Sequence, residues 1–435
     1  MSDIILDINA GRERGTPQPL DETPFRIALL GDFSGRESRG ITEVGAALAA
    51  RRTWRVDRDD LDEMLGGMAP ALQLRLEPDG PPLRLRFAAL EDFHPDRLFE
   101  RLPVFQALRD LRRRLSDPTT FHAAARELSG EAPAPAPRKP PSGGSLLADI
   151  LDQASPPDAA EALAEAGGDL HAFIQRVLRP HLVPNPDPRQ GELVAQVDAA
   201  ASATLRAILH ATEFQALEAL WRAADLLVRR VETSPDLQVH LIDLSEPELI
   251  AALPPGGDPT TSPLYQLLAR HSGTAPWALL AGAYRFGAAP ADIDRLAQLA
   301  AIGHLLGAPW IGTADPRLAG APDVAALAEP AGWKAAPDPT WEAFRSLSLA
   351  RSVGLVLPGF LLRLPYGRAF EECEQVRFEE HEKEAGLAAY LWGPPAFAVA
   401  LILGRAFAEA GWRLTEEIDP EIGGLPFVVI GPPAD

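Results

Sequence analysis

Residues 25–36 read FRIALLGDFSGR, an apolar run broken only by Arg26, then a turn with two glycines, an acid and a hydroxyl. A short apolar run bounded by glycine is the pattern of a buried strand. A strand entering a Gly-rich turn is also how many nucleotide-binding loops begin. The phosphate reading fails on spacing: a P-loop needs four residues between its glycines and then Lys-Ser/Thr, so that amides and an ammonium cradle the phosphates. Gly31 and Gly35 are separated by three residues, and Arg36 follows. G-x-G-x-x-G is not spelled, and Ser34 does not sit in G-x-S-x-G. The stretch therefore reads as a core strand and a structural turn. Gly31→Ala or Gly35→Ala is expected to disturb folding or assembly, and nucleotide to leave the melting temperature unchanged.

Outward from this strand, WRVD and PLRLRF read as further strands, the second with Leu83, Leu85 and Phe87 on one face and arginines on the other. DRDDLDEMLGGM reads as an Asp-capped helix, and DFHPDRLFERLPVFQALRDLRRRL as a helix pair whose first member Asp92 is expected to cap. DIILDI, at residues 3–8, is a short β-type run. The sharpest boundary is EAPAPAPRKPPSGGS, residues 131–145, where Ala-Pro alternation favours extended geometry and Gly-Gly is flexible. It separates a module at 1–130 from one at 146–435.

Beyond the linker, SLLADILDQA puts Leu146, Leu147, Ile150 and Leu151 on one face of a short helix. Residues 170–182, LHAFIQRVLRPHL, and then VAQVDAAASATLRAILHATEFQALEALWRAADLLVRRV form a long helical zone. LQVHLIDL alternates as a strand. SPLYQLLARH, ADIDRLAQLAAIGHLLG and WEAFRSLSLARSVG read as helices, separated by WALLAGAY, PWIGTA and VGLVLPGFLL as buried strands or irregular segments. PPAFAVALILGRAFAEAGW, broken by Arg405, reads as a buried helix rather than a membrane span. The fold class is α/β (α+β), with mixed sheets flanked by helices.

The chain has 435 residues, 46% of them hydrophobic, enough for a large core. Its formal net charge is −20, which disfavours nucleic acid and anionic membrane surfaces as partners. The acidity is uneven: residues 1–130 carry 22 Asp+Glu against 19 Lys+Arg, and the remainder 39 against 22. Cys373 is the single cysteine, so no intrachain disulfide or cysteine metal site forms, and a reducing cytoplasm is expected. The N-terminus lacks the pattern of a signal peptide.

No catalytic constellation emerges. Residues 379–384, EEHEKE, lack the second histidine of a zinc protease motif, because Ala385 stands four residues after His381; a solvated charged face is expected. Glu91 and Asp92 are adjacent and do not make an acid/base couple. His94, His210 and His381 are isolated. Neighbouring carboxylates should raise the Cys373 thiol pKa, against a nucleophile. We expect no enzyme activity, cofactor or metal.

These stretches, in order, resemble a known family. DIILDI, PFRIALLGDFSGR, RRTWRVDRDDLDEM and DFHPD before LPVFQAL resemble the small sheath subunit of the type VI secretion system, TssB (VipA). ILHATEFQALEALWRAADLLV, PWALLAGAYRF, WEAFRSLSLARSVGLVLPGFLLRLPYG and YLWGPPAFAVALILGRAFAEAGW resemble the large subunit, TssC (VipB). The resemblance implies two intertwined sheath modules, fused in one chain and built into a contractile tube around an inner tube. It implies partners: other sheath subunits, the inner-tube protein, the baseplate and a ClpV-type disassembly ATPase. Leu146, Leu147, Ile150 and Leu151 are the candidate ATPase-binding face, and Ile4, Ile5, Leu6 and Ile8 a candidate strand added to a neighbour's sheet edge. The large subunit of the family continues past GGLPFVVIGPPAD, which leaves open a non-contractile adaptor or regulator that binds sheath or baseplate subunits.

Overall fold

The computed structural model describes residues 23–129 and 190–427, apart from 78–79, 118, 273–274, 329, 335–337, 382–385 and 415–417. Ile4, Ile5, Leu6, Ile8, the linker at 131–145, Leu146, Leu147, Ile150, Leu151 and residues 170–182 lie outside the described residues.

FRIALLG forms β1 (Phe25–Gly31), buried at all seven positions. A strand with no polar face fits only the middle of a sheet covered on both sides. The first half continues with α1 (Gly45–Ala49), β2 (Trp54–Val56) and α2 (Leu61–Met68). β3 (Ala71–Leu74) and β4 (Leu83–Arg86) pair as a separate antiparallel hairpin, with Leu85 buried and Arg84 and Arg86 exposed. α3 (Pro95–Arg101), α4 (Pro103–Ser116) and α5 (Phe121–Ser129) complete it. The cap of α3 differs from expectation: His94 Nδ1 accepts the Asp96 amide, while Asp92 Oδ2 accepts the amides of Ala88 and Ala89. Pro95 at the first helical position leaves His94 in extended geometry beside the open amides, and Asp92 is taken up by the preceding 3-10 turn.

In the second half, the long helical zone is two helices, α6 (Gln190–Leu209) and α7 (Thr212–Arg230), broken where Ala211 turns extended. β5 (Leu237–Asp243), α8 (Glu246–Ala252), α9 (Pro263–Ser272), β6 (Leu279–Phe286), α10 (Pro290–Leu306) and β7 (Trp310–Ala314) follow. WEAFRSLSLARSVG is only partly helical: α11 (Pro339–Ser346) gives way to a 3-10 turn, and its last residues begin β8 (Val353–Val356). β9 (Phe360–Arg363) and β10 (Leu391–Gly393) pair with each other, and α12 (Pro395–Ala410) is the expected buried helix.

The main sheet has six strands in the order β2-β5-β1-β6-β7-β8. All are parallel except β2, which runs antiparallel to β5. Two strands come from before the linker and four from after it, so the halves share one sheet. β1 splits its side chains by alternation. Phe25, Ile27 and Leu29 join a core with α6, α7 and α12; Ala28 and Leu30 join one with α8, α9 and α10. Arg26 is tolerated in this strand because its guanidinium donates to His271 O at 2.8 Å and lies 4.1 Å over the Trp277 ring.

The two turn glycines are required for different reasons. Gly35 has φ +70°, and a Cβ there would stand 2.5 Å from Ala71 O, a backbone atom. A Cβ on Gly31 would meet only the Leu220 side chain, 2.7 Å away. Gly35→Ala is therefore expected to destabilise by about 1–3 kcal/mol, and more than Gly31→Ala. Urea titration of both variants checks the ranking, and an unchanged midpoint for Gly35→Ala would contradict it.

Candidate functional site: the polar seam between the halves

The turn that ends β1 is occupied by the protein's own carboxylates. Asp32 accepts the amides of Arg36 (2.7 Å) and Glu37 (2.9 Å), which shapes the turn locally. Asp243, at the end of β5 and across the linker in sequence, accepts the Ser34 amide at 3.0 Å and its hydroxyl at 2.7 Å. Trp221 Nε1 donates to Phe33 O at 2.9 Å. The amides that a phosphate loop would offer to a ligand are thus already bonded, those of Arg36 and Glu37 to Asp32 within the turn and that of Ser34 to Asp243 in the second half. The structural reading of GDFSGR holds, and its partner is the other half of the chain.

Two arginines of the first half close on one glutamate of the second. Glu248 begins α8 as the third residue of a capping box with Ser245, and its side chain is fully buried. Arg51 donates to both its oxygens at 2.8 Å, and Arg36 Nε to Oε1 at 3.1 Å. Burial pushes the Glu248 carboxyl up, but Arg51 and the amides of Glu43 and Ser245 outweigh it and hold the pKa at about 2. Glu43 joins both arginines from the exposed side, at 2.9 Å to Arg36 and 2.6 Å to Arg51.

A second ionic cluster lies within the second half. Arg363, in the LLRLPYG stretch of β9, donates to Glu218 at 2.9 and 3.2 Å and to Glu380 at 2.7 and 3.0 Å. Glu218 and Glu380 are 0% and 1% exposed. Arg222 bonds Glu218 and the Tyr366 hydroxyl, and the Tyr366 amide donates to Glu380. This corrects the expectation of a solvated face at 379–384. Glu379 and His381 are exposed, but Glu380 points inward, because alternation along an extended segment sends it towards Arg363.

The isolated histidines are partly corrected as well. His94 Nε2 lies 3.3 Å from Glu371, and His210 lies 3.6 Å from Glu380, so both touch the second half's acidic loop. Asp96 accepts the amides of Glu374 and Gln375 and ties the same loop to α3. The Cys373 thiol is pushed up to about 12, by burial first and then by Asp96 and Glu371. The raised direction was legible; the leading role of burial was not.

His240 gives the seam region a pH dependence. It sits on β5, where burial and then the charges of Arg26, Arg55 and His271 lower its pKa from 6.5 to about 3. The unfolded chain takes up a proton in that interval that the folded chain refuses. Stability is therefore full above pH 6.5 and is lost as pH falls towards 3. Glu248 acts in the same direction lower down, with stability present above 4.5 and lost as pH falls through about 2. We expect a loss of about 2–3 kcal/mol between pH 7 and pH 4.5 in urea titrations, reduced in His240→Gln. Equal stability at the two pH values would rule out a buried neutral His240.

Among the described residues, no group of three His, Cys, Asp or Glu stands close enough to hold a metal ion. No described helix is long and apolar enough to cross a membrane.

Comparison with known proteins divides the chain where the seam does. Residues 7–128 match the VipA family of the type VI secretion system. Residues 191–425 match the VipB family, the EvpB-type tail sheath N-terminal domain. The type VI secretion system sheath protein TssC1 of Pseudomonas aeruginosa is 33% identical over 247 residues, which cover 54% of this chain and 50% of that protein. The chain thus spans about half the length of this curated relative. With the VipB match extending over more than half of its residues, and β1, Ser34, Arg36 and Arg51 of the VipA match locked into the same sheet and seam, the chain belongs to the VipB tail sheath family and carries a VipA-type half ahead of it.

Proposed function

We propose that this protein is a structural subunit of a type VI contractile sheath, with the small and large sheath subunits fused into one building block that assembles around an inner tube. The observation that supports this best is the shared sheet: β1 from the first half lies between β5 and β6 of the second and bonds to both. A block of this kind carries load through a backbone ladder and two buried ionic clusters. Fusion fixes the stoichiometry at one to one and raises the effective concentration of each half for the other.

Within this reading, Ile4, Ile5, Leu6 and Ile8 supply a strand to a neighbouring subunit. The face formed by Leu146, Leu147, Ile150 and Leu151 is offered to a ClpV-type ATPase after contraction. The baseplate and inner-tube protein are the remaining partners, and the assembly is cytoplasmic. Catalysis has no role.

Electron microscopy of the purified protein, alone and with the C-terminal region of a large sheath subunit supplied in trans, tests the proposal. Helical tubes are the expected result in at least one condition. Discrete particles in both would end the sheath reading and favour an adaptor that binds sheath or baseplate subunits through the same dimer-like interface.

A further inference from the structure

The strand order places a topological switch at β1: β5 lies on one side of it, and the next strand in sequence, β6, on the other. In open α/β sheets such a point leaves a crevice outside the carboxyl ends of the strands, and ligands bind there. Here the crevice has a volume of about 670 Å³ and lies over Gly31 of β1 and Thr313 of β7. That is the size of a small-molecule pocket. Both halves of the chain build it, since Asp32 and Glu37 come from the turn after β1 and Glu246, Tyr390 and Trp392 from beyond the linker.

The lining selects by charge. Three carboxylates, those of Asp32, Glu37 and Glu246, stand against one guanidinium, that of Arg285, which leaves a charge of −2. Arg285 already has a carboxylate beside it, because Asp315 is held low in pKa by its bonds to Arg317 and, behind them, by the charge of Arg285. Glu37 has only acids: burial first, and then the charges of Glu246, Asp32 and Glu213, raise its carboxyl pKa. Among the described residues no ion pair reaches Glu37, Glu213 or Glu246, and these acids do not converge on a metal position. The remainder of the lining is aromatic and apolar. The Tyr390 and Trp392 rings stand 6.4 Å apart at 61°, and the Trp392 indole is held by its N–H bond to Leu387 O at 2.9 Å. Ring faces set at an angle suit a cation, and Leu357 adds apolar surface for its carrier.

We propose that this crevice binds a small linear dication, a diamine or guanidinoamine with a short methylene chain between its two charged ends. One end pairs with Glu37 and Glu246 and relieves their repulsion, the other lies against the Trp392 ring, and the methylenes cover Leu357. Two positive charges match the −2 of the lining, and phosphate-bearing ligands are repelled by it. The ligand bridges the two halves of the chain. The proposal rests on the crevice and does not require the sheath reading.

Isothermal titration calorimetry of the full chain with agmatine tests it. One agmatine per chain is expected, with a Kd of about 0.1–1 mM, and butylamine, with a single charge, should bind about ten-fold more weakly. Glu37→Gln combined with Glu246→Gln should weaken agmatine about ten-fold, and Trp392→Leu, which keeps apolar bulk and loses the ring face, about five-fold. Both glutamates are exposed, so the melting curve of the ligand-free double variant should not move. No heat at about 10 mM agmatine, equal affinity for butylamine, or an affinity unaffected by the two glutamine substitutions would each overturn the proposal. Binding of the peptide acetyl-Leu-Arg-Leu-amide by a chain that ignores agmatine would overturn it too, and would give the crevice to an arginine of a partner chain. Agmatine binding in a preparation that forms no tubes would remove the sheath reading and leave this site standing; tubes without agmatine binding would do the reverse.

Discussion

Arg363→Ala is expected to destabilise the protein by about 3–5 kcal/mol, because it leaves two buried carboxylates without their shared cation. Glu218 and Glu380 are 0% and 1% exposed, and Arg363 bonds both. Arg222 still pairs with Glu218, but Glu380 keeps only the Tyr366 amide and His210 beside it, so two buried carboxylates are left with one guanidinium. Arg363→Lys keeps the charge and loses the planar fork that reaches four oxygens, so it should recover only part of the loss. Urea denaturation of the two variants against the parent measures both effects. A loss below about 1 kcal/mol for Arg363→Ala would mean that water or relaxation satisfies the carboxylates, and would remove this cluster from the account of what joins β9 to α7.

Glu248→Ala is expected to cost about 3 kcal/mol and to loosen the seam specifically. The substitution takes from Arg36 and Arg51, whose side chains are 15% and 8% exposed, their buried carboxylate and leaves them sharing the partly exposed Glu43, and it removes the capping box of α8. Hydrogen exchange should therefore accelerate over residues 32–51 and 243–252 before it does so in β6 or β7. Glu43→Ala is the contrasting case. Glu43 meets the same arginines from a side chain that is 43% exposed, so its loss should stay below about 1 kcal/mol. Uniform exchange across the sheet in Glu248→Ala would show that the seam does not act as a separate unit.

Much of this architecture was legible in the chain. The apolar run of β1, the alternation of LRLRF and the 3.6-residue stripes of α4 and α7 are local periodicities, and periodicity survives without knowledge of neighbours. Chemistry was excluded equally locally, since glycine spacing, a missing lysine and a missing second histidine are questions of a few adjacent positions. The stretches that carry the family resemblance, GDFSGR, WR and RLPYG, are the ones that meet at the seam and in the Arg363 cluster.

What stayed hidden depends on partners distant in sequence. Asp92 and His94 are both plausible caps for a helix at Pro95, and only the competing 3-10 turn decides between them. EEHEKE looks like a solvated run because a carboxylate is normally costly to bury, and Glu380 escapes that rule through an arginine 17 positions earlier. Sequence by itself determined that a strand is buried on both faces, that the turn after it lacks the glycine spacing and lysine of a phosphate loop, and that a small-subunit-type stretch precedes a large-subunit-type one. Only the tertiary structure decided that these halves share one sheet, that Asp243 and Glu248 are the buried acids of their seam, and that Glu380 is the buried partner of Arg363 on β9. Strand order and charge pairing are set by contacts distant in sequence, 17 residues apart for Arg363 and Glu380 and 197 for Arg51 and Glu248, and no local pattern specifies which acid will meet which arginine.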